Sequence, residues 1–247
     1  TMLDPKTRNY TFVDTCFQTH HLQFGYDAND TLWTSGGGQV VGWLDMKIFD
    51  ETGDAAKAQG WTPMILDTNG NGKRDEWVEP KETVDPAKDK RVVIGYYGVA
   101  VSPVDGSVWV SSLGFPGYVV RFNPGPNPAE TGLTEIYEAP VDVNGYGVRG
   151  MDVDRNGVVW VSLSSGHLGS FDRRKCKGPL NGPTATGQHC PEGWTLYAEP
   201  LPQLGNVTSP GSGEGSYYTW VDQFNTLGLG ANVPINTGNQ SEGLLVL

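Results

Sequence analysis

YDANDTLWTSGG, residues 26–37, is the first of three versions of one pattern; the others are SPVDGSVWVSSLG (102–114) and DVDRNGVVWVSLSSG (152–166). Each version has a turn of Asp, Asn or Gly residues, then an apolar residue and a Trp, then small polar residues. Asn-Asp, Asp-Gly and Asn-Gly pairs tolerate positive φ, which tight hairpin turns require. Each segment therefore predicts a β-hairpin. Because one hairpin cannot bury its apolar face alone, the copies should stack against one another.

Further strands are predicted after each hairpin. Third strands fit residues 40–44, 118–122 and 167–172, and outer fourth strands fit 134–137 and 194–197, because β-branched and aromatic residues dominate most of these stretches. Four antiparallel strands repeated at roughly 50-residue intervals are typical of propeller blades. We therefore predict an all-β fold, a β-propeller of four-stranded antiparallel blades.

The domain organisation follows from the same repeat. All 247 residues are assigned to a single propeller domain. Segment 45–90, which lengthens the first interval and is charged and rich in Gly and Pro, is interpreted as an insertion on the blade rim. Few whole blades are present, so we expect an incomplete set, a fragment of a longer propeller with other domains of a longer chain. The predicted blades lie at about 18–50, 92–140 and 147–200, with half-blades at 1–17 and 215–247.

The charge of the chain restricts its partners. The formal net charge is −11, which argues against nucleic acid and anionic membranes as partners. No apolar run approaches the roughly 20 residues that a membrane-spanning helix needs. We expect a small-molecule or peptide ligand.

The cysteines indicate the compartment. Cys176 and Cys190 bracket a loop rich in Gly, Pro and Thr, and a disulfide would stabilise such a loop by about 3 kcal/mol. The alternative is a zinc site with His189, but two thiols and one imidazole are an incomplete zinc set. A disulfide implies an oxidising compartment, so we expect a secreted or periplasmic protein. Cys16 is predicted to be a buried residue on a strand.

Residues 67–75, DTNGNGKRD, form the strongest local motif. Oxygen ligands at alternate positions, a Gly at position six and a carboxylate at position nine can surround Ca²⁺, whereas the bidentate Glu that an EF-hand has at position twelve is replaced by Val78. An ordinary polar turn is the alternative interpretation. The predicted ligands of a structural calcium ion are Asp67, Asn69, Asn71, Lys73 (through its backbone carbonyl) and Asp75.

Aromatic and basic side chains recur where each innermost strand begins, at 19–22, 96–99, 148–151 and 217–220. The ligand site of a propeller usually lies at such a channel mouth, and convergent polar and aromatic groups are typical of binding sites. Packing of each residue against the channel wall is the alternative. The candidate catalytic residues are His21 and His20, because His can act as a general base near neutral pH, and the candidate ligand-binding residues are Tyr97, Arg149 and Tyr218.

The segments HHLQFGYDANDTLWTS (20–35) and RGMDVDRNGVVWVSL (149–163), with the DPKT turn (4–7), resemble blades of the virginiamycin B lyase (streptogramin lyase) family and of related SMP-30/NHL-like propellers. The stretches at 66–80 and 170–197 also resemble bacterial secreted proteins of the carboxypeptidase-regulatory-like kind. The lyase resemblance implies elimination that opens a cyclic depsipeptide, with a His base and Mg²⁺. It places the base at His21, and it assigns no segment of this chain to the family's metal-holding Glu and second His.

Two functions of different classes follow. The first is an extracytoplasmic calcium-binding propeller that binds a ligand or partner at the channel mouth. The second is a metal-dependent lyase or hydrolase that acts on a cyclic ester or lactone, with His21 as general base. Because propellers host many activities, the fold alone does not choose between them.

Overall fold

A computed structural model describes residues 1–36, 38–200, 205–206 and 213–247 of the chain. Within these residues the chain is mostly β, with a few short helices, two four-stranded antiparallel sheets, and sheets of two, three and seven strands. The predicted all-β class is confirmed at this level, whereas the incomplete set of blades and the blade boundaries stay predictions. No helix in the described part is long and apolar enough to span a membrane.

A two-stranded antiparallel pair precedes the first sheet, which has four antiparallel strands in chain order. Two short helices connect the third and fourth strands of the first sheet: α1 (Met46–Thr52) is capped by Asp45, and α2 (Ala55–Ala58) is capped by Asp54. Both Asp side chains accept hydrogen bonds from backbone N–H groups that a helix start leaves unpaired. The strands are β1 (Met2–Leu3) and β2 (Tyr10–Thr11) in the pair, and β3 (His21–Phe24), β4 (Leu32–Ser35), β5 (Val41–Leu44) and β6 (Gln59–Thr62) in the first sheet.

The structure places β6 inside segment 45–90, which the sequence pattern assigned to a rim insertion. Its sequence, QGWT, carries a weak strand signal because Gly is disfavoured in strands. The tertiary context overrides this preference: β6 pairs with β5 along its whole length, and the Trp43 ring covers Gly60 so closely that a Cβ there would clash with it.

The second sheet has seven strands. Four form an antiparallel meander, and three short strands that begin in the remainder of segment 45–90 are added to its outer edge. Helix α3 (Pro128–Thr131) precedes the last strand of the meander. The added strands are β7 (Met64–Leu66), β8 (Trp77–Val78) and β9 (Asp89–Val92), and the meander consists of β10 (Tyr96–Val101), β11 (Val108–Ser112), β12 (Tyr118–Asn123) and β13 (Leu133–Glu138).

The third sheet is a second four-stranded antiparallel meander, and the fourth sheet has three antiparallel strands in the described residues. The strands predicted at 118–122, 134–137, 167–172 and 194–197 are all present, as β12, β13 and two strands of the third sheet. The third sheet consists of β14 (Val148–Val153), β15 (Val159–Leu163), β16 (His167–Phe171) and β17 (Trp194–Ala198), and the fourth of β18 (Thr219–Asp222), β19 (Val233–Gly238) and β20 (Gly243–Val246).

The hairpin turns have the predicted backbone. Asp30, Gly106 and Gly157 have φ values of 48°, 69° and 79°. Positive φ at these positions matches the twist of the flanking strands, which explains the Asp, Asn and Gly content of the repeated turn.

Each of the four larger sheets has one edge strand that lies beside the corresponding strand of the next sheet. These strands follow one another in the order β3, β10, β14, β18, as the innermost strands of propeller blades do. Side chains connect them: Gln23 Oε1 accepts a hydrogen bond from Val101 N at 2.6 Å, and Asp152 Oδ2 accepts one from Val221 N at 2.9 Å. These bonds supply partners to backbone groups that no strand pairs, which fixes the blades relative to one another.

Two apolar cores fill the spaces between neighbouring sheets. One core, around Trp33 and Phe122, lies between the first and second sheets, and the other, around Trp109 and Phe171, lies between the second and third. Trp33 and Trp109 are the repeated tryptophans of the first two hairpins, so the pattern that predicts the hairpins also supplies the inter-blade packing. Trp160 of the third hairpin is only half-buried and stacks on Tyr197.

Candidate functional site

Two β-bulges occur at equivalent places in the inner strands. The pairing of β10 with β11 shifts by one residue within 96–99, and the pairing of β14 with β15 shifts within 148–151. A bulge adds one unpaired residue and re-aims the local side chains. The bulges contain Tyr97 and Arg149, two of the candidate ligand-binding residues.

Glycine is needed beside each of these residues because neighbouring blades approach closely. A Cβ at Gly98 would lie 3.2 Å from the Arg149 carbonyl oxygen, and a Cβ at Gly150 would lie 2.6 Å from Tyr218 Cα. The Tyr-Gly and Arg-Gly pairs therefore combine a candidate ligand-binding side chain with a close backbone approach, which brings the starts of β10, β14 and β18 together.

The side chains at these strand starts form one aromatic group. The His21 ring is the centre of the group: its centroid lies 4.3 Å from that of His20, 4.7 Å from that of Tyr97 and 5.1 Å from that of Tyr218. Tyr217 joins it with its centroid 6.0 Å from that of Tyr97. We call this group, with Arg149, the mouth cluster; its members are His20, His21, Tyr97, Arg149, Tyr217 and Tyr218.

Two polar atoms of the mouth cluster, His21 Nε2 and the Tyr97 hydroxyl, are buried and form no well-aligned hydrogen bond, although the Tyr217 side chain lies close enough to act on the Tyr97 hydroxyl. Burial lowers the pKa of His21, and the neighbouring His20 lowers it further, so His21 is neutral at pH 7. Burial also raises the pKa of Tyr97, with Tyr217 adding to the increase. The cluster thus presents a neutral imidazole and a neutral phenol, each able to donate or accept a hydrogen bond.

Arg149 supplies the positive charge of the mouth cluster. Its guanidinium carbon lies 5.2 Å from the centroid of the Tyr217 ring, and its Nε donates to Ser164 Oγ at 2.9 Å. Within the described residues its two terminal nitrogens form no hydrogen bond. They remain available for a carboxylate, which a guanidinium recognises by two parallel hydrogen bonds.

The surroundings of His21 do not fit the Mg²⁺ that the lyase resemblance implies. Its neighbours are aromatic rings, and no group of three or more His, Cys, Asp or Glu side chains suited to a metal ion occurs in the part of the chain that the structure describes. Magnesium prefers carboxylate, phosphate and water oxygens. We therefore derive no catalytic step through this ion.

The loop at 67–75 is wound around Asp67. This buried carboxylate accepts hydrogen bonds from the backbone N–H groups of Gly70, Asn71 and Gly72, at 2.6, 3.1 and 2.8 Å. The side-chain amides of Asn69 and Asn71 both donate to Asp75 Oδ2, at 2.9 and 2.6 Å.

The donor set of this loop fits a calcium ion in its chemistry. The candidate ligands Asp67, Asn69, Asn71 and Asp75, together with the Lys73 carbonyl, offer only oxygen atoms, and they lie on one short turn of chain. Oxygen-only sets of this kind suit Ca²⁺. Calcium binding here stays a prediction.

The predicted disulfide between Cys176 and Cys190 is present, with Cα atoms 5.0 Å apart. It joins a loop of little regular structure to the core, where Cys190 is buried beside Phe171. The prediction for Cys16 is wrong: this thiol is free and exposed on a bend before β3, because the backbone there bonds to the Gln59 side chain instead of forming a strand.

A cavity lies at the other end of β3, between the first and second sheets. Its volume is about 650 Å³, and its lining includes Trp33, Trp43, Asp27 and Asp45. Both carboxylates already accept local hydrogen bonds, Asp27 from Asn29 N and Asp45 from Ile48 N. Unsatisfied polar atoms distinguish the mouth cluster from this cavity, so the mouth cluster is the better candidate for specific binding.

A scan against protein-family models gives no match, and neither does a search of curated proteins. Among solved structures the chain is similar to PorZ, an essential bacterial surface component of the type-IX secretion system of Porphyromonas gingivalis, at 14% identity and a TM-score of 0.47. It is also similar to YCF48 from Cyanidioschyzon merolae (11%, 0.44) and to hydrazine synthase from Kuenenia stuttgartiensis (12%, 0.44).

These similarities cover 97%, 92% and 92% of this chain, in the same order. The chain spans 27% of the length of PorZ, 49% of YCF48 and 70% of the hydrazine synthase chain.

All five predicted residues of the mouth are brought together, and the structure adds one that the prediction did not select. The Arg149 guanidinium lies over the ring of Tyr217, whereas the prediction named only the neighbouring Tyr218. The preference of Arg for aromatic faces is the signal that favours Tyr217. The functional roles of all six residues stay predictions.

Proposed function

We propose that this chain is an extracytoplasmic, calcium-binding β-propeller that binds a short peptide or a similar small molecule at the mouth cluster. The observation that carries the proposal is that His21 and Tyr97, whose rings are in contact, each bury a polar atom that forms no well-aligned hydrogen bond. Leaving such a group unpaired costs about 1–3 kcal/mol, and a ligand that pairs with both recovers part of that cost.

The chemistry of the cluster indicates an amide that carries a carboxylate. An amide group offers one donor and one acceptor, which matches a neutral imidazole beside a phenol. A carboxylate matches the two unused nitrogens of Arg149. Peptides with a free C-terminus combine both groups, and the five rings of the mouth cluster supply apolar contact area.

Access to the site requires one side chain to move. The two unpartnered atoms are out of contact with solvent, whereas His20 and Tyr217 are exposed and lie over Tyr97. We infer that a ligand displaces one of these two rings, which needs no change in the inner strands.

The oxidising compartment and the calcium ion are the other parts of the proposal. A disulfide that closes an irregular loop is typical of secreted and periplasmic proteins, which supports an extracytoplasmic location. The oxygen donors wound on loop 67–75 support a structural Ca²⁺, which would order the strands added to the second sheet.

A screen of short peptides tests the binding function. Saturation-transfer NMR would compare tripeptides with free C-termini against the same tripeptides as C-terminal amides, using the wild-type protein. We expect the free acids to give the stronger signals. Equal signals from acids and amides, or no signal from any peptide, would contradict the proposed recognition of a carboxylate.

A lyase or hydrolase of the streptogramin-lyase type is the second candidate. One observation favours it: His21 is neutral at pH 7 and its Nε2 is unused, which a general base requires. The test is hydrolysis or ring opening of a cyclic ester or lactone, measured with and without Mg²⁺, for wild type and His21→Ala. Turnover that is lost in His21→Ala would favour catalysis over binding alone.

A further inference from the structure

Strand β9 connects the two ends of the calcium-like loop. It lies between β7, which leads into the loop, and β8, which follows it. In the antiparallel pair Leu66 is opposite Lys90, and in the parallel pair Trp77 is opposite Asp89. Asp89 therefore stands on β9 next to the end of β7, where Asp67 follows, and beside the strand that follows Asp75.

Asp89 is fully buried and half of its carboxylate is unused. Its Oδ2 accepts a hydrogen bond from Asp75 N at 2.8 Å, so the group reaches the loop itself, whereas its Oδ1 is buried without a well-aligned hydrogen bond, although the Thr68 backbone also acts on the carboxylate. The carboxylates of Asp67 and Asp75 act on it electrostatically. Three negative groups thus share a site in which one oxygen is left unsatisfied, at a cost that is high for a charged group.

No protein cation neutralises this carboxylate in the described residues. Arg74 is near enough to interact with Asp89 electrostatically, but the two form no ion pair. The Arg74 guanidinium instead donates to the Gly132 carbonyl and lies 5.4 Å from the centroid of the Trp77 ring. A cation held between the carboxylates would neutralise the negative charge of Asp89, which Arg74 does not pair with.

Residues 67–75 also supply fewer oxygen ligands than a calcium ion takes. A calcium ion takes 6–8 oxygen ligands, and the EF-hand loop obtains two of them from a Glu at position twelve. Val78 occupies that position here, on β8. The five oxygen donors of residues 67–75 leave one to three positions to fill, and Asp89 is a further buried carboxylate that contacts the backbone of the loop at Asp75.

We propose that Asp89 is a calcium ligand supplied from β9, in place of the missing carboxylate at position twelve of the loop. This inference rests on the proposed calcium binding at 67–75. The carboxylates are not grouped tightly enough to form a ligand set as they stand, because Asn69 and Asn71 point their amide nitrogens at Asp75. Ion binding would turn both amides so that their oxygens face the ion, and would draw Asp89 Oδ1 to it.

The test is calcium titration by calorimetry, together with thermal melts in EDTA and in calcium. The variants are Asp89→Asn, which keeps the shape of the side chain and removes its charge, and Glu82→Gln, which removes an exposed charge from the same segment. We expect wild type to bind calcium and to melt at a higher temperature with it. Asp89→Asn should bind on the order of tenfold more weakly or worse, and Glu82→Gln should bind as wild type does.

The melts in EDTA separate a ligand from a residue needed for folding. If the Asp89 carboxylate serves to bind a cation, replacing it by the neutral amide of Asn relieves its repulsion with Asp67 and Asp75. Asp89→Asn should therefore melt no lower than wild type in EDTA, and calcium should no longer raise its melting temperature. A lower melting temperature in EDTA as well would overturn the proposal, since the carboxylate would then serve the fold without an ion.

The calorimetry distinguishes the two levels of the proposal. If wild type and Asp89→Asn bind calcium equally, Asp89 is not a ligand, and calcium binding by the loop stands. If wild type binds no calcium and its melting temperature does not change, calcium binding itself is wrong, and the role of Asp89 falls with it.

Discussion

The rings of His21, from the first sheet, and Tyr97, from the second, meet edge to face with centroids 4.7 Å apart, and each residue has one buried polar atom that forms no well-aligned hydrogen bond. Well-packed proteins rarely retain such pairs, because the cost of an unpaired buried group exceeds the gain of an ordinary hydrogen bond. The bulge at 96–99 aims Tyr97 at His21, so the pair results from a specific backbone feature.

Removal of the Tyr97 hydroxyl should leave the free protein at least as stable as wild type. Tyr97→Phe deletes an unpartnered buried group, so we expect no loss in the free energy of unfolding and a gain of up to about 1 kcal/mol. The matched control is Tyr137→Phe, because the buried Tyr137 hydroxyl donates to Glu135 Oε2 at 2.6 Å. The control should lose about 1–3 kcal/mol in urea unfolding. A comparable loss in Tyr97→Phe would mean that its hydroxyl has a structural partner.

His21 should titrate below its ordinary pKa of 6.5. Burial disfavours the imidazolium ion, and His20 adds to the effect. His20→Gln should therefore raise the His21 pKa part of the way back, which NMR titration of the ring carbon shifts would measure. An unchanged His21 pKa in that variant would show that the two rings do not interact.

The same shift makes the folded state sensitive to acid. Because the folded pKa lies below the unfolded one, the unfolded chain binds the proton first, and the stability contributed by neutral His21 is lost as pH falls below 6.5. In His21→Gln the free energy of unfolding should change less between pH 7.5 and 5.5 than in wild type, a range chosen around about 6.5. An identical pH dependence would contradict burial of the neutral ring.

Gly150 should be required for assembly of the mouth cluster. A Cβ at this position would lie 2.6 Å from Tyr218 Cα, so Gly150→Ala must separate β14 from β18. We expect a loss of about 1–3 kcal/mol in stability. Gly114→Ala is the control, since its Cβ would meet only Ser112 Oγ at 3.8 Å. Equal stability of the two variants would contradict the close approach of the blades.

Terbium luminescence should report the proposed calcium site. Trp77 lies two residues after the loop, with the Arg74 guanidinium over its ring, so excitation of this ring should sensitise a Tb³⁺ ion held at 67–75. Calcium should displace the signal, and Trp77→Phe should remove most of it while leaving the thermal effect of calcium intact. A signal that survives in Trp77→Phe would place the ion elsewhere.

Much of the fold is predictable from the repeated hairpin. The Trp of each copy and the Asp, Asn or Gly of each turn specify local conformation and burial, and the predicted third and fourth strands of the later blades are present. β6 and β9 are not predicted because their sequences, QGWT and DKRV, carry a weak strand pattern. They form strands by pairing with β5 and β7, at the edges of sheets.

The candidate site residues also fall into a predictable and an unpredictable group. His21, Tyr97 and Arg149 are predictable because each stands at an equivalent position of a repeat. Asp89 is not, since it follows the loop by 14 positions and its role depends on the placement of β9 between β7 and β8. The sequence repeat predicts contacts between residues at equivalent positions, such as those of the mouth cluster. It does not predict contacts that depend on long-range strand pairing, such as that of Asp89 with the loop at 67–75.

The most direct test of the account is the affinity of the strongest binding peptide acid for wild type, Arg149→Gln and Arg155→Gln, measured by calorimetry. Arg155 is the matched control because its guanidinium also lies over an aromatic ring, that of Phe224, outside the mouth cluster. We expect Arg149→Gln to lose at least about 1.5 kcal/mol of binding free energy, as a charge-assisted hydrogen bond contributes about 1.5–3 kcal/mol, and Arg155→Gln to bind as wild type does. Equal affinities of all three proteins would contradict a ligand site at the mouth cluster.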